Sequence, residues 1–229
     1  MVVYAYKPSP HSSHVVLPGR LPTQGQGRRV LDLGCSDGYL GALLAARGFE
    51  VVGVERHGGY SHNFPASVKL IEADLDFGLP PLSGKFDYVL CADILEHLRE
   101  PESLLLQLHE VLAPAGRVLA SLPNSGNLYF RLNVLAGRFP RHDRGLFDRT
   151  HLHYFTLRTW TELFSSAGFR FETVIPTGIP VSLAFPRSAH SLAVRAAERV
   201  SYDLARFWKT VFAYQFVVSA FPVEEHHER

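Results

Sequence analysis

Cysteine is scarce in this chain, and neither sign of charge dominates. Among 229 residues only Cys35 and Cys91 carry thiols. Each closes an apolar run, so they read as small reduced fillers in a cytosolic protein and not as a disulfide. The 23 Lys and Arg stand against 22 Asp and Glu, leaving a formal net charge of +1. That balance argues against a dedicated nucleic-acid surface, although local patches survive it. No apolar run approaches the length that crosses a bilayer, and the first residues lack a signal-peptide core, which together point to the cytoplasm. Internal repeats and low-complexity tracts are absent as well. What remains is a chain with 46% apolar residues, long enough for one domain over residues 1–229 with a real core.

The most informative segment is Val30-Leu31-Asp32-Leu33-Gly34-Cys35-Ser36-Asp37-Gly38-Tyr39. A short apolar strand runs into a glycine-bearing turn, and a helix-compatible stretch from Leu40 to Arg47 follows. Gly34 and Gly38 lack a Cβ, so backbone can approach a ligand closely there. The next helix would direct its unpaired N–H groups at that ligand. A second strand, Glu50 to Val54, ends on Glu55, about twenty residues on, where nucleotide-binding α/β folds hold ribose hydroxyls. Val68 to Asp74 reads as a third strand, Phe86 to Asp93 as a fourth and Arg117 to Leu122 as a fifth. Between the last two, Leu104, Leu105, Leu108, Val111 and Leu112 share one side of a helix that Pro101 opens. The alternation predicts a mainly parallel sheet with helices on both faces. Further on, Thr156 caps a helix that Gly168 ends, Phe169 to Ile175 is a strand, and Ser188 to Lys209 is mostly helical. Val211 to Phe221 reads as the final strand. Residues 1–28 form a lead-in or cap. Residues 124–150 read as an irregular connection without strand signal, and together with 176–210 they are expected to form a lid.

With these segments in place the chain resembles the class I S-adenosylmethionine (SAM) dependent methyltransferases, from about Arg28 to Phe221. The stretch Gly145-Leu146-Phe147-Asp148-Arg149-Thr150-His151-Leu152-His153-Tyr154-Phe155-Thr156 is similar to a bacterial subgroup related to ubiquinone-type O-methyltransferases. The resemblance implies a Rossmann-like, doubly wound, seven-stranded sheet that closes with an antiparallel C-terminal pair. It implies SAM as cofactor. The turn residues Asp32, Gly34, Ser36 and Gly38 would wrap its methionine part, with Ser36 where many relatives have a third glycine. Glu55 would accept both ribose hydroxyls, Asp74 the adenine amino group, and Leu75 would lie against the ring, with Ala92 lining the site. A solvated strand end or helix cap is the plain alternative for a lone acid. A dinucleotide is the rival ligand that local spacing admits.

The sulfonium methyl is already activated, so the protein must align a nucleophile and exclude water. An oxygen nucleophile must also lose a proton, which calls for a base or a metal. Asp93, Glu96 and His97 stand at i, i+3 and i+4, so one helical turn would present them together. In some relatives an acid-x-x-Glu-His cluster with a downstream histidine binds a divalent ion. Here Asp93, Glu96, His97 and either His151 or His153, with His153 preferred, match that pattern and would suit Mg, Mn or Zn. The alternative, favoured here, is metal-free: His151 or His153 as general base, with Asp148 orienting it. In an extended segment the two histidines would face the same side. Arg131, Arg138, Arg141, Arg144 and Arg149 make the expected lid basic, which suits an anionic acceptor or simply a solvated loop.

The functional reading is methyl transfer to a hydroxyl of a small metabolite, a sugar or natural-product intermediate first and a quinone-like phenol second. Metal-dependent 2′-O-methylation of RNA 3′ ends is one alternative, which the near-neutral charge disfavours. A non-catalytic SAM-binding partner protein is another, and an NAD-linked oxidoreductase is the most distant.

Overall fold

The computed structural model describes residues 9–184 and 191–223. Seven strands form one sheet: β1 (Arg29–Leu33), β2 (Glu50–Glu55), β3 (Val68–Glu72), β4 (Phe86–Ala92), β5 (Leu112–Pro123), β6 (Phe169–Pro176) and β7 (Gln215–Pro222). The helices are α1 (Ser13–Val16), α2 (Tyr39–Ala45), α3 (Pro101–Val111), α4 (Leu128–Leu135), α5 (Leu157–Ser166), α6 (Val181–Ala184), α7 (Leu192–Phe207) and α8 (Lys209–Phe212). Strand order is β3-β2-β1-β4-β5-β7-β6. The first five strands pair in parallel, whereas β7 runs antiparallel to both β5 and β6. This is the seven-stranded doubly wound arrangement expected from the sequence. After β3 the chain crosses back to lay β4 beside β1. The crevice beyond the carboxyl ends of β1 and β4 is therefore the topological switch point, where such sheets bind ligands.

Alternating side chains sort the core into two halves. Leu31 and Leu33 of β1 join α3 and α5 residues such as Leu104, Leu108, Trp160 and Phe164 on one face. Val30, the neighbour of Leu31 in sequence, packs with Leu17, Leu44 and Phe49 on the other. Period-two alternation thus lets one apolar strand feed both layers. Cys35 and Cys91 are buried free thiols, and burial raises the pKa of both. Helix α5 starts as the sequence predicts: Thr156 accepts from the Thr159 N–H, Thr159 reciprocates, and Gly168 turns the chain at φ +75°.

Several boundaries differ from the sequence reading. Residues 124–150 are not wholly irregular, because Asn127 caps α4 by accepting from the Tyr129 N–H at 2.9 Å. The last strand starts at Gln215, not Val211, since residues 209–212 coil into α8. That short helix is held from far away: Asn124 and Asn127 donate side-chain N–H groups to the carbonyls of Thr210, Phe212 and Ala213. Such carbonyls are the unsatisfied groups of any helix end, and no local pattern reveals their partners. The fifth strand begins at Leu112 rather than Arg117, with a register shift against β4 between Phe86 and Tyr88. The third ends at Glu72, and Asp74 instead caps a short 3-10 turn over Leu75–Phe77. The first part of the expected cap and the helix start at Ser188 lie outside the described residues.

Trp160 ties this layer to the site end of the sheet, for its indole N–H donates to the Pro123 carbonyl at 2.9 Å while the ring is fully buried. In Trp160→Phe the carbonyl loses its donor and a void opens. We expect urea unfolding to show a loss of about 2 kcal/mol. A variant as stable as the parent would refute this anchoring role.

Candidate functional site at the carboxyl ends of β1, β2 and β4

The turn after β1 takes three left-handed residues: Gly34 at φ +69°, Ser36 at +49° and Gly38 at +69°. Ser36 thus occupies a conformation that glycine adopts more readily, at a cost of about 1 kcal/mol. The N–H groups of Gly34 and Cys35 both bond the Val54 carbonyl, at 2.9 and 3.2 Å. A Cβ on Gly34 would come within 2.8 Å of the Ile94 side chain, and one on Gly38 within 2.8 Å of the Phe64 ring. Both glycines are therefore required by packing as well as by backbone angle.

Glu55 closes the turn. Its Oε2 accepts from the Ser36 N–H at 2.8 Å and its Oε1 from the Arg56 N–H at 3.0 Å. Gly59 passes so close that a Cβ there would strike the carboxylate. Burial raises the Glu55 pKa, and the two backbone donors oppose it. Asp32 lies beneath, 1% exposed, with Oδ2 lacking a hydrogen-bond partner among the described residues. Burial first and the Glu55 charge second push its pKa up to about 7. Asp74 is exposed and caps its own turn through the Asp76 N–H at 3.0 Å. Leu75 sits in the core, and Ala92 ends β4 half-buried. The sequence did not single out the loop that supplies Gly59 and Phe64, because only packing shows what it covers.

Across the crevice, Asp93 adopts φ +53°. Its Oδ1 accepts from Ser121 Oγ on β5 and from Gln215 Nε2 on β7, the latter at 2.8 Å. Asp93, Glu96 and His97 therefore do not share a helical turn. Asp93 is drawn toward the antiparallel strands, while Glu96 and His97 belong to the 3-10 turn Leu95–His97. The histidines also separate. His153 turns its Nε2–H onto the Leu98 carbonyl at 2.9 Å and stacks near Phe155. His151 instead points at Glu96, Nε2 to Oε1 3.8 Å, and meets the His97 ring edge-on at 4.8 Å. Among the described residues, donors of Glu96, His97 and His151 lie within 4.8 Å of one another. Of the group expected from the sequence, Glu96 and His97 meet His151, whereas Asp93 is held by Ser121 and Gln215 and His153 by Leu98.

Asp148 is 1% exposed, and its Oδ1 accepts from Thr150 N–H and Oγ–H at 2.8 and 2.6 Å. Thr150 Oγ1 in turn lies 3.1 Å from His97 Nδ1. The Asp148 side chain thus reaches the cluster through Thr150 and His97, while its carbonyl accepts from the His151 N–H at 3.1 Å. Tyr214, just before β7, has its pKa raised by burial and then by the charge of Asp93. Gln215, Thr150 and Tyr214 escaped the sequence reading because they meet the site only through tertiary pairing. Of the expected lid arginines, Arg131 donates to the Gly126 carbonyl, Arg141 to the Arg149 carbonyl, and Arg149 pairs with Asp143.

Sheet order, switch point and left-handed turn together define the class I methyltransferase architecture. The methyltransferase-domain family matches residues 16–174, and the chain belongs to it. It is 27% identical over 122 residues to the ubiquinone biosynthesis O-methyltransferase of Pseudomonas aeruginosa strain LESB58, covering 49% of this chain and 52% of that protein. The enzyme of the same name from Psychrobacter arcticus is 26% identical over 162 residues, covering 65% and 62%. The chain spans about half the length (52%) of the first of these relatives. A SAM-dependent methyltransferase from Mesorhizobium loti superposes with a TM-score of 0.57 at 20% identity, over 91% of this chain and 96% of that one. The [4+2]-cyclase SpnF superposes with a TM-score of 0.58 at 18% identity, over 91% and 79%.

Burial, and then the neighbouring His97, lower the His151 pKa from 6.5 to about 4. The unfolded imidazole protonates near its ordinary value, whereas the folded one resists. Its contribution to stability is therefore present above about pH 6.5 and is lost as pH falls toward 4. Asp32 runs the other way: its contribution is present near its unfolded value of 3.8 and below, and is lost as pH rises to about 7. Ring-proton NMR of the ligand-free protein should find His151 still neutral at about pH 5. His151→Phe should flatten the acid-side fall of stability. A midpoint near the ordinary histidine value would contradict the burial argument.

Proposed function

We propose that the protein transfers a methyl group from SAM to a hydroxyl of a small acceptor. The supporting observation is the Glu55 carboxylate, tethered to Ser36 N–H beside the left-handed turn at the switch point. Family membership independently favours the same donor. The donor set fits such a ligand. Glu55 presents carboxylate oxygens for ribose hydroxyls, and Asp32 Oδ2 is a buried acceptor without a partner among the described residues. A donor from the methionine part would satisfy it. In this reading Asp32, Gly34, Ser36 and Gly38 surround the methionine part. Asp74 accepts from the adenine amino group, and Leu75 and Ala92 line the pocket. SAM supplies the activated methyl as a sulfonium.

Residues beyond β4 handle the acceptor. His151 is kept neutral by burial, so its lone pair is available to take the hydroxyl proton. Glu96, 3.8 Å away, would stabilise the imidazolium that results. Asp148 holds this arrangement through Thr150 and His97. His153 is assigned to anchoring, since its Nε2–H is bonded to Leu98. Relatives named O-methyltransferases favour an oxygen acceptor. A hydroxylated sugar or natural-product intermediate and a quinone-like phenol are both compatible with it. A second reading, with Glu96, His97 and His151 holding a divalent ion that acidifies the hydroxyl, draws on their mutual approach within 4.8 Å.

Calorimetry with S-adenosylhomocysteine should show Glu55→Ala binding roughly tenfold to a hundredfold more weakly, the loss of hydrogen bonds to a charged acceptor. Unchanged affinity would overturn the donor assignment. With labelled SAM and a panel of hydroxylated acceptors, His151→Ala should lower kcat by about 10²–10⁴ while donor affinity stays constant. Turnover abolished by a chelator and restored by Mg, Mn or Zn would replace the metal-free base with the ion.

A further inference from the structure

Most large apolar side chains left in solvent are concentrated in two places. Of the eighteen exposed ones among the described residues, fourteen lie in segments 128–154 and 179–208. Helix α4 buries Phe130 and exposes Leu128, Leu132, Val134 and Leu135, the last at 84%. Helix α7 docks on the body through Val194, Glu198 and Ala205. On its solvent side Leu192, Ala196, Val200 and Leu204 recur every fourth residue, and Phe207 joins them 84% exposed. Residues at that spacing share one face of a helix. The stripe is thus a second apolar face, separate from the one that packs.

Charge borders this face asymmetrically. Arg195, Arg199 and Arg206 line one edge of α7, with Lys209 just past its end. Arg138 and Arg144 add positive charge around α4. Nearby acids are neutralised or buried: Asp203 pairs with Arg199 at 3.0 Å, Asp143 with Arg149 at 2.9 Å, and Glu198 and Asp148 are buried. Arg138, Arg144, Arg195, Arg206 and Lys209 are exposed and have no ion-pair partner among the described residues. A chain of net charge +1 therefore gathers its excess of positive charge on its most apolar surface.

The start of α4 meets α8, the short helix that directly follows α7. Asn127, the cap of α4, donates to the carbonyls of Phe212 and Ala213 where α8 follows α7. This junction lies at the carboxyl end of β5 and the start of β7, beside the crevice. We infer that α4 and α7 form a docking surface for an anionic lipid bilayer, their apolar side chains entering the headgroup boundary and their arginines meeting lipid phosphates. No described helix is long and apolar enough to cross a membrane, so the contact is interfacial. A second copy of the chain fits less well, because it would bring further unpaired arginines to the contact while Asp143 and Asp203 are already paired within each copy. Anionic headgroups meet that border with opposite charge.

The chain carries its own probe. Of its two tryptophans, Trp160 is fully buried and Trp208, at the end of α7, is 56% exposed. Brominated lipids in vesicles of equal parts phosphatidylcholine and phosphatidylglycerol should quench Trp208, and pure phosphatidylcholine vesicles should quench it far less. Reversing two arginines in Arg195→Glu with Arg206→Glu should weaken vesicle binding by roughly tenfold or more. Leu204→Ser with Phe207→Ser should weaken it comparably. Both pairs replace exposed residues, and S-adenosylhomocysteine affinity, expected to be unchanged, reports intact folding and tests the donor site separately. Unquenched Trp208 with both vesicle types, or equal binding to neutral and anionic vesicles, would overturn the proposal. So would a concentration-dependent dimer that the same substitutions dissolve in the absence of lipid binding.

Discussion

One carboxylate joins the two strands on which the site depends. Glu55 ends β2, yet its oxygens accept N–H groups from Ser36, beyond β1, and from Arg56. Ser36 needs that support because it holds a left-handed angle without being glycine. The bond offsets the conformational cost and fixes the turn before any ligand arrives. The same carboxylate charge, after burial, raises Asp32 toward neutrality. Turn shape, acid position and the protonation of the buried aspartate are therefore one coupled arrangement, and altering Glu55 disturbs all three.

The crevice has a second side with the opposite electrostatic bias. Burial keeps His151 neutral well below the ordinary histidine range, with Glu96 close by. Asp93 is held by hydroxyl and amide donors from β5 and β7. Groups fixed in this way need little reorganisation when charge develops in a reaction. The antiparallel pair thus has a role beyond completing the sheet: it brings Gln215 to Asp93 and Tyr214 toward the same crevice.

What the sequence revealed and what it concealed follow from the range of the interactions. Strands β1, β2 and β4, the glycine turn and the Thr156 cap are written in residues a few positions apart, and each was legible. The placement of Glu55 was legible too, because the length of a β–α–β unit fixes it. The start of β7 was not, because α8 is held by Asn124 and Asn127 more than eighty residues away. Alternation suggested that His151 and His153 act on one side. Instead the Leu152 and His153 N–H groups both bond the Glu96 carbonyl, and the segment bends there. One histidine meets Glu96 and the other meets Leu98. The positive-φ position of Asp93 likewise separated it from Glu96 and His97 in a way that helical spacing could not foretell.

The fold by itself leaves the reaction open, since chains with this architecture include SAM-dependent methyltransferases and the [4+2]-cyclase SpnF. What discriminates is the pairing of two features in one crevice. In the proposed reading Glu55 holds the ribose of a ligand on one side, and His151, kept neutral by burial, lies on the other. A hydroxyl that must lose a proton as it attacks an electrophilic methyl would use both, and that joint use is what supports the proposed transfer to oxygen, which the sheet alone leaves open.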